Sequence, residues 1–368
     1  VVRGANTCFV ILMSLLVGIT AIAAAAGDGG ILNYGISGRI TTIDPAVCVD
    51  DYGIFVIKNT YERLVEETLD GTNVVPGLAE SWTVSPDGLT YTFKLRPGVT
   101  FYDDGSPVTA EAVRFSLERA LRLAKGKTWL LEGVLDPEGI RVHNDDEISI
   151  NLFKPTPFLL QILASPVPAS IINPRTVEAN STVDDPEGET YLYENTAGTG
   201  PFKVTEWAHG QYIVLDRNPG YWQEGLPKLN RLVLRVVTEP ATASSMLQGG
   251  ELDIVYRLPS DVTAYLSTRP GIRTLSQPRL EFTALYFNCM LRPVDDINVR
   301  RALSYAIDYE TIMKIVGFQG QRMTGFFLSG MLGYDPNRLG YTQDLEKAKK
   351  LLSEAGYPDG FALTCQYP

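Results

Sequence analysis

The sequence predicts an α/β protein built from more than one domain, and three observations carry that expectation. The chain has 368 residues, enough for two or more domains with cores of their own. Short segments of alternating apolar and polar residues recur along it, and between them lie segments with apolar residues at helical spacing. The composition, 45% hydrophobic and 20% charged, is that of a folded soluble protein. The formal charge of −11 argues against a nucleic-acid partner, because phosphate binding needs a basic stripe and none is present.

The N-terminus reads as a secretory signal peptide over 1–26. Arg3 precedes the apolar run CFVILMSLLVGITAIAAAA (8–26), which ends in the small residues Ala24 and Ala26. The competing reading is a membrane anchor, since the run is long enough to span. Cys8 precedes the apolar core, so its position does not suit lipid attachment. Either way the protein is expected to be exported, in a periplasm or at the outer face of the cytoplasmic membrane.

The elements follow in order. ILNYGIS (31–37) reads as a first strand, and the turn-rich TTIDPAVCVDDYG (41–53) leads into a helix from about Tyr52, with Ile54, Ile57, Tyr61 and Leu64 at helical spacing. Tyr91, Phe93 and Leu95 alternate with Thr92 and Lys94 as a half-buried strand. Thr109 caps a helix whose inner stripe is Val113, Leu117, Ala120, Leu121 and Ala124. EISINLF (147–153) turns Ile148, Ile150 and Leu152 inward, and a proline-punctuated segment with an apolar helical centre follows over 155–174. The acidic stretch 182–190 is an exposed loop.

Further on, 229–237 is a strand, 242–256 a helix, turn and strand, and 260–271 a short helix. The stretch 280–288 is a strand, and 299–316 one helix with Leu303, Ala306, Ile307 and Ile315 inward. The last helix, 344–356, has acids early, lysines later and Gly356 at its end. A strand then begins over 361–367 without a turn or partner, so the chain is expected to be C-terminally truncated.

GTGPFKVTEWAHGQYIVLDRNPGYW (198–222) is the stretch most like a site, because glycine-rich turns can cradle phosphate. It lacks the Gly-x-x-x-x-Gly-Lys-Ser/Thr pattern of a phosphate loop, and a strand follows the glycines. Alternation on either side of Gly210 suits a hairpin, so the stretch reads as scaffold, with Tyr221 and Trp222 packing. His143 and His209 lie in polar turns without a nucleophile motif, and the acids form no recognisable pair, so no catalytic residue is assigned. Two separated histidines make no metal site, and no cofactor is expected. Beyond Cys8, Cys48, Cys289 and Cys365 are odd in number and widely spaced, which permits one disulfide but favours buried free thiols.

Four motifs, in order, resemble one family. They are PGLAESWTVSPDGLTYTFKLRPGVTFYDDGSPVTAEAVRFSLERAL (76–121), the 198–222 stretch, VRRALSYAIDYETI (299–312) and YTQDLEKAKKLLSEAGYPDGF (341–361). They resemble the peptide and nickel class (family 5) of extracytoplasmic solute-binding proteins, the receptors of ABC importers, and within it the dipeptide- and oligopeptide-binding proteins. The resemblance implies a two-lobe periplasmic-binding-protein fold (type II, cluster C-like) with an extra domain and an incomplete second lobe. It places 27–45 and 173–278 in lobe 1, 46–172 in the extra domain and 279–368 in the first part of lobe 2. It implies a monomer that captures a short peptide and delivers it to an ABC permease and ATPase complex. A nickel chelate, an oligosaccharide or a sensor role for a signalling partner are the alternatives.

The resemblance also supplies candidate ligand-binding residues. Relatives use backbone after the first-strand Asp-Pro, which here carries the role to Val49, Asp50 and Asp51; the two acids could instead cap the following helix. Trp129 matches a region where relatives place an aromatic over the ligand, against ordinary packing. Arg257 follows a strand ending at the cleft, against a surface salt bridge. Tyr286 and Asn288 are assigned to core or hinge packing. The aspartate that anchors a peptide ammonium in such receptors would fall after Pro368.

Overall fold

The computed structural model describes residues 2–3, 29–68, 73–275, 284–316, 322–328 and 334–365. Of the expected signal segment only Val2–Arg3 is among them, so that reading lies outside the described residues. The chain divides into two compact units, Val1–Thr274 and Leu275–Pro368.

The first unit is built on two main sheets. Among the described residues one has seven strands, in the order Ile272–Arg273, Val2–Arg3, Ile254–Val255, Ile31–Ile36, Arg231–Val236, Tyr212–Arg217 and Phe202–Ala208. Ile31–Ile36 runs parallel to both of its neighbours, Ile254–Val255 and Arg231–Val236. One face buries Leu32, Tyr34, Ile36, Leu232, Leu234, Ile213 and Leu215 as a common core. The 198–222 stretch supplies the expected hairpin, turning at Gly210 with φ 71° and pairing Phe202–Ala208 with Tyr212–Arg217. Helix Asp51–Thr60 presents Val56 to this core and Ile57 to a second cluster with Cys48, Tyr61, Ile172 and Val177.

The other main sheet has four antiparallel strands in the order Ala79–Val84, Thr90–Leu95, Glu147–Leu152 and Leu135–Asn144. Tyr91, Phe93, Leu95, Ile148, Ile150 and Leu152 are buried as their alternation requires. Helix Ala110–Leu123, with the Thr109 hydroxyl accepting from the Ala112 amide, buries Val113, Leu117 and Ala120 on this sheet. Ala124 is not part of the stripe. It forms the C-cap at φ 49° and is exposed, because the helix stops one residue earlier. The core of this sheet draws its buried residues from Ala46 to Ile171.

Polar groups lock the two sheets of the first unit together. Arg119 donates from Nη1 and Nη2 to the two carboxylate oxygens of Asp44 at 2.9 and 2.7 Å, and both side chains are buried. Glu62 is buried and accepts from Thr199 Oγ1 at 2.8 Å, Tyr221 Oη at 2.9 Å and Trp222 Nε1 at 2.9 Å. Arg96 lies over the Trp222 ring, 4.5 Å from its centre. Gly198 and Gly200 abut the end of helix Asp51–Thr60, where a Cβ on Gly200 would stand 2.6 Å from the carbonyl carbon of Thr60. The Gly-Thr-Gly run is therefore a docking surface for backbone, and Tyr221 and Trp222 serve as partly buried donors.

In the second unit the expected single helix over 299–316 is two, Ile297–Ala306 and Tyr309–Val316. Asp308 breaks it by accepting from the Thr311 amide at 2.9 Å, the geometry of an N-cap. Val299 and Ala302 are the buried residues, whereas Ala306 and Ile315 are exposed. Residues 284–288 form no strand, and Tyr286 is 79% exposed rather than packed; 280–283 lie outside the described residues. No strand forms over 361–365 either, while the expected last helix forms over Leu345–Glu354, with Asp344 as its N-cap. Cys48 is a buried free thiol, but Cys289 and Cys365 are exposed.

Candidate functional site

The parallel strands Ile31–Ile36, Arg231–Val236 and Ile254–Val255 end at one edge of the seven-stranded sheet, and in open α/β sheets ligands bind beyond such carboxyl ends. The chain leaving Ile36 passes through Ser37 and Gly38 and returns as helix Asp51–Thr60; the chain leaving Val255 continues directly into Tyr256 and Arg257. This edge brings Asp51 and Arg257 together, with Arg257 Nη2 3.1 Å from Asp51 Oδ2. Their side chains remain 47% and 40% exposed.

The local sequence explains the geometry. Asp50 is the helix N-cap, its Oδ1 accepting from the Gly53 amide at 2.7 Å. Its Oδ2 accepts from the Thr41 hydroxyl at 2.5 Å and the Thr41 amide at 3.2 Å. Asp50 is thus committed to structure, and the next residue, Asp51, opens the helix with its carboxylate outward. Arg257 has φ 59°, a left-handed conformation that costs a non-glycine residue about 1–2 kcal/mol. That turn carries its guanidinium to 5.4 Å from the Tyr256 ring centre. Tyr256 meets Tyr52 edge to face at 6.4 Å, and the Tyr52 and Ser37 hydroxyls are 2.9 Å apart. Gly38 makes room for this shelf, because a Cβ there would lie 2.6 Å from the Tyr52 ring.

Val49 is 59% exposed. Trp129 is 65% exposed on the short turn Thr128–Leu130, so it is not the packed residue that ordinary burial would make it. Gly126 rests that segment against the backbone of Ala46 and Val47, where a Cβ would come within 3.0 and 2.8 Å of their carbonyl oxygens. The Trp129 turn and the Val49–Asp51 segment are therefore joined through 46–47. Sequence reasoning missed Tyr52, Tyr256 and Ser37 as parts of the shelf. The available signal was that an aromatic adjoins each charged member, in Asp51-Tyr52 and Tyr256-Arg257.

A groove of 520 Å³ opens on the neighbouring strands, lined mainly by Val214, Val233, Val236, Val237 and Met246. None of the five predicted residues lines it, and its aliphatic walls offer a polar solute little. His143 pairs with Ser149 at 2.9 Å, and His209 pairs with Glu194 at 2.8 Å while stacking on Trp207. Neither belongs to the shelf. Among the described residues no group of three or more His, Cys, Asp or Glu could hold a metal ion. Among them, too, no helix is long and apolar enough to cross a membrane.

Comparison with known proteins agrees with this architecture. A family model for bacterial extracellular solute-binding proteins, family 5 Middle, matches residues 73–366. The probable D,D-dipeptide-binding periplasmic protein DdpA of Escherichia coli (strain K12) is 35% identical over 335 residues, covering 89% of this chain and 63% of that protein. The glutathione-binding protein GsiB of Salmonella typhi is 32% identical over 368 residues, covering 96% of this chain and 66% of that protein. The chain thus spans a little under two thirds of the length of these curated relatives. Among solved structures, the ABC transporter-associated periplasmic binding protein DppA from Helicobacter pylori, in complex with peptide STSA, matches with TM-score 0.79 and 27% identity. That match covers 91% of this chain and 68% of the other. With the α/β two-lobe fold of these neighbours and a family match across most of its length, the chain belongs to the bacterial extracellular solute-binding proteins, family 5.

Proposed function

We propose that this protein is the substrate-binding receptor of an ABC importer, capturing a short peptide or peptide-like solute outside the cytoplasm and handing it to a permease and ATPase complex. The observation that carries the reading is the Asp51–Arg257 pair, exposed at the carboxyl edge of the parallel strands in a chain of this family. Such a shelf offers a carboxylate to a ligand ammonium or a guanidinium to a ligand carboxylate, groups of the kind that a peptide carries. The relatives named above for a D,D-dipeptide, for glutathione and for a complex with peptide STSA support the ligand class.

Within this reading the roles divide. Asp51 and Arg257 contact the ligand through their side chains, and Val49 contributes backbone and an apolar surface. Trp129 walls the site from the neighbouring domain. Asp50 acts through the helix cap that orients Asp51. Residues 27–45 and 173–278 make lobe 1, 46–172 the extra domain and 279–368 the start of lobe 2; the core running from Ala46 to Ile171 supports the extra-domain boundaries. The protein is a monomeric binding protein rather than an enzyme, exported behind a signal peptide over 1–26 to a periplasm or the outer face of the cytoplasmic membrane.

Thermal-shift screening of the full-length protein tests the reading against peptides, nickel–histidine chelate and oligosaccharides. Peptides are expected to raise the melting temperature. A rise with a sugar or a chelate while every peptide fails would replace peptide by that ligand, and full activity of peptide uptake in a strain lacking the gene would remove the transport role.

A further inference from the structure

Trp129 and Val49 are both exposed, yet each leaves the chain beside a buried neighbour. Trp129 stands in the turn Thr128–Leu130, between the buried Thr128 and Leu131, which is buried in the core that runs from Ala46 to Ile171. The Leu131 amide donates to the Thr128 carbonyl at 2.8 Å and the Thr128 amide to the Lys125 carbonyl at 3.1 Å, so the turn has little freedom to tilt the ring. Upstream, Lys125 is tied to Glu189 through Nζ at 2.7 Å. Val49 follows the buried Cys48, which ends a turn whose amides at Val47 and Cys48 donate to the Asp44 carbonyl at 3.1 and 2.9 Å. Arg119 holds Asp44 in place through the carboxylate.

The two pieces meet at Gly126. Its backbone lies so close to the carbonyls of Ala46 and Val47 that an added Cβ would stand 3.0 and 2.8 Å from their oxygens. Its φ of 58° is also left-handed, a conformation that glycine adopts without steric cost. Residue 126 therefore meets two separate demands, and a nearby glycine meets one of them. Gly133, beyond the Trp129 turn, has φ 67° but nothing outside its chain neighbours within 4 Å of where its Cβ would be. An alanine at either position takes on the same kind of left-handed strain. At 126 the methyl also presses on backbone. The Ala46 and Val47 carbonyls belong to a turn pinned by Asp44 and Cys48, so relief comes by moving the 125–130 loop outward, and Trp129 goes with it.

Resting on the receptor reading above, in which Trp129 and Val49 wall the ligand, we propose that Gly126 is the positioning residue that sets the gap between those two walls. It seats the Trp129 turn directly on the turn from which Val49 departs, so backbone contact presets the gap before a ligand arrives. Gly126 acts through Trp129 and not by touching the ligand.

Hydrogen exchange and titration calorimetry on the full-length protein, with trialanine as the probe, test this. Gly126→Ala is expected to speed amide exchange in 46–51 and 128–131 and to weaken trialanine about tenfold. Gly133→Ala is expected to lower the melting temperature comparably while leaving the affinity within about twofold. In a Trp129→Ala background Gly126→Ala should cost less than about threefold, because the wall it positions is gone. Gly126→Asn tolerates the left-handed backbone and keeps the carbonyl clash, so it should reproduce the loss of affinity if alanine at 126 does not fold. Equal losses of affinity in the Gly126 and Gly133 variants, or an undiminished loss in the Trp129→Ala background, would make Gly126 a structural residue and overturn the proposal. Exchange in 46–51 unmoved by Gly126→Ala would overturn the seat itself. Failure of trialanine and of every other peptide to bind the parent would remove the receptor reading and the ligand gap with it, and the exchange response would still decide whether the seat exists.

Discussion

Two aspartate–arginine pairs start from neighbouring stretches of the same loop and end in opposite roles. Asp44 and Arg119 are buried, joined by two hydrogen bonds, and closed off further by Arg119 Nε donating to the Glu187 carbonyl and the Ala46 amide donating to Asp44. Asp51 and Arg257 approach to 3.1 Å, with both side chains close to half exposed. The chemistry of the groups is the same. What differs is solvent, because removing charge from water makes each partner indispensable to the other, whereas an exposed pair is weakly held and can exchange its partner for a ligand. The first pair is a joint of the scaffold, and the second is suited to recognition.

The sharpest way to break the comparison is to remove one arginine at a time. Arg119→Ala leaves the Asp44 carboxylate buried and uncompensated, and should destabilise the protein by about 3–5 kcal/mol, read as a shift in the denaturant midpoint. A loss below 1 kcal/mol would place the two pairs in one class.

Glu62 extends the comparison to a buried acid held by neutral donors. Burial pushes its carboxyl up to about 7, outweighing the hydrogen bonds from Thr199, Trp222 and Tyr221, which favour the ionised form. Its folded-state pKa therefore lies above the ordinary 4.5, and the folded chain holds the proton more tightly than the unfolded chain. The stability this contributes is complete below about pH 4.5 and is lost as pH rises through about 7. At about 1.4 kcal/mol per pH unit the loss amounts to about 3 kcal/mol. Glu62→Gln should abolish that step, so the stability of the parent relative to the variant should fall between pH 5 and pH 8. Parallel profiles would show that Glu62 is ionised throughout.

How much of this was legible in the sequence depends on the reach of each interaction. The strands Thr90–Leu95 and Glu147–Leu152 and the Thr109 cap could be read because their determinants are local, in alternation and in one hydroxyl three residues from its partner. The family could be read from four motifs, one of which, 198–222, turns out to be scaffold. Its glycines resemble a site because close backbone approach makes the same demand for a missing Cβ whether the neighbour is phosphate or the end of a helix. The partners of Glu62 and the pairing of Asp51 with Arg257 were not legible, since each joins residues far apart in the chain and no local pattern encodes which distant charge will arrive. The break at Asp308 was missed for a different reason. Helical periodicity continues across it, and only the aspartate's ability to cap a new helix distinguishes one helix from two.

The scaffold reading of the glycine run carries its own prediction. In Gly200→Ala the new methyl would lie 2.6 Å from the Thr60 carbonyl carbon and 2.9 Å from the Asn59 carbonyl oxygen. These are backbone atoms at the end of a packed helix, so the strain cannot be relieved by a side-chain rotation. A loss of about 1–3 kcal/mol is expected, measured by thermal or denaturant unfolding, with ligand affinity per folded molecule unchanged. Loss of affinity without loss of stability would instead return the glycine run to the binding site.

The smallest effect on stability is expected at the exposed pair, and there it is the contrast with function that matters. Arg257→Gln removes the half-exposed ion pair with Asp51, worth about 0–1 kcal/mol by the behaviour of such pairs. The strained backbone at φ 59° remains, so no compensating relaxation is expected. Arg257→Gly, by contrast, removes the same charge and relieves the left-handed strain, and should be more stable than Arg257→Gln by up to about 1 kcal/mol. If Arg257 serves recognition, both variants should weaken ligand binding alike even though their stabilities differ in order. Binding that instead tracked stability across the two variants would make Arg257 a structural residue, and would remove the distinction between this pair and Asp44–Arg119.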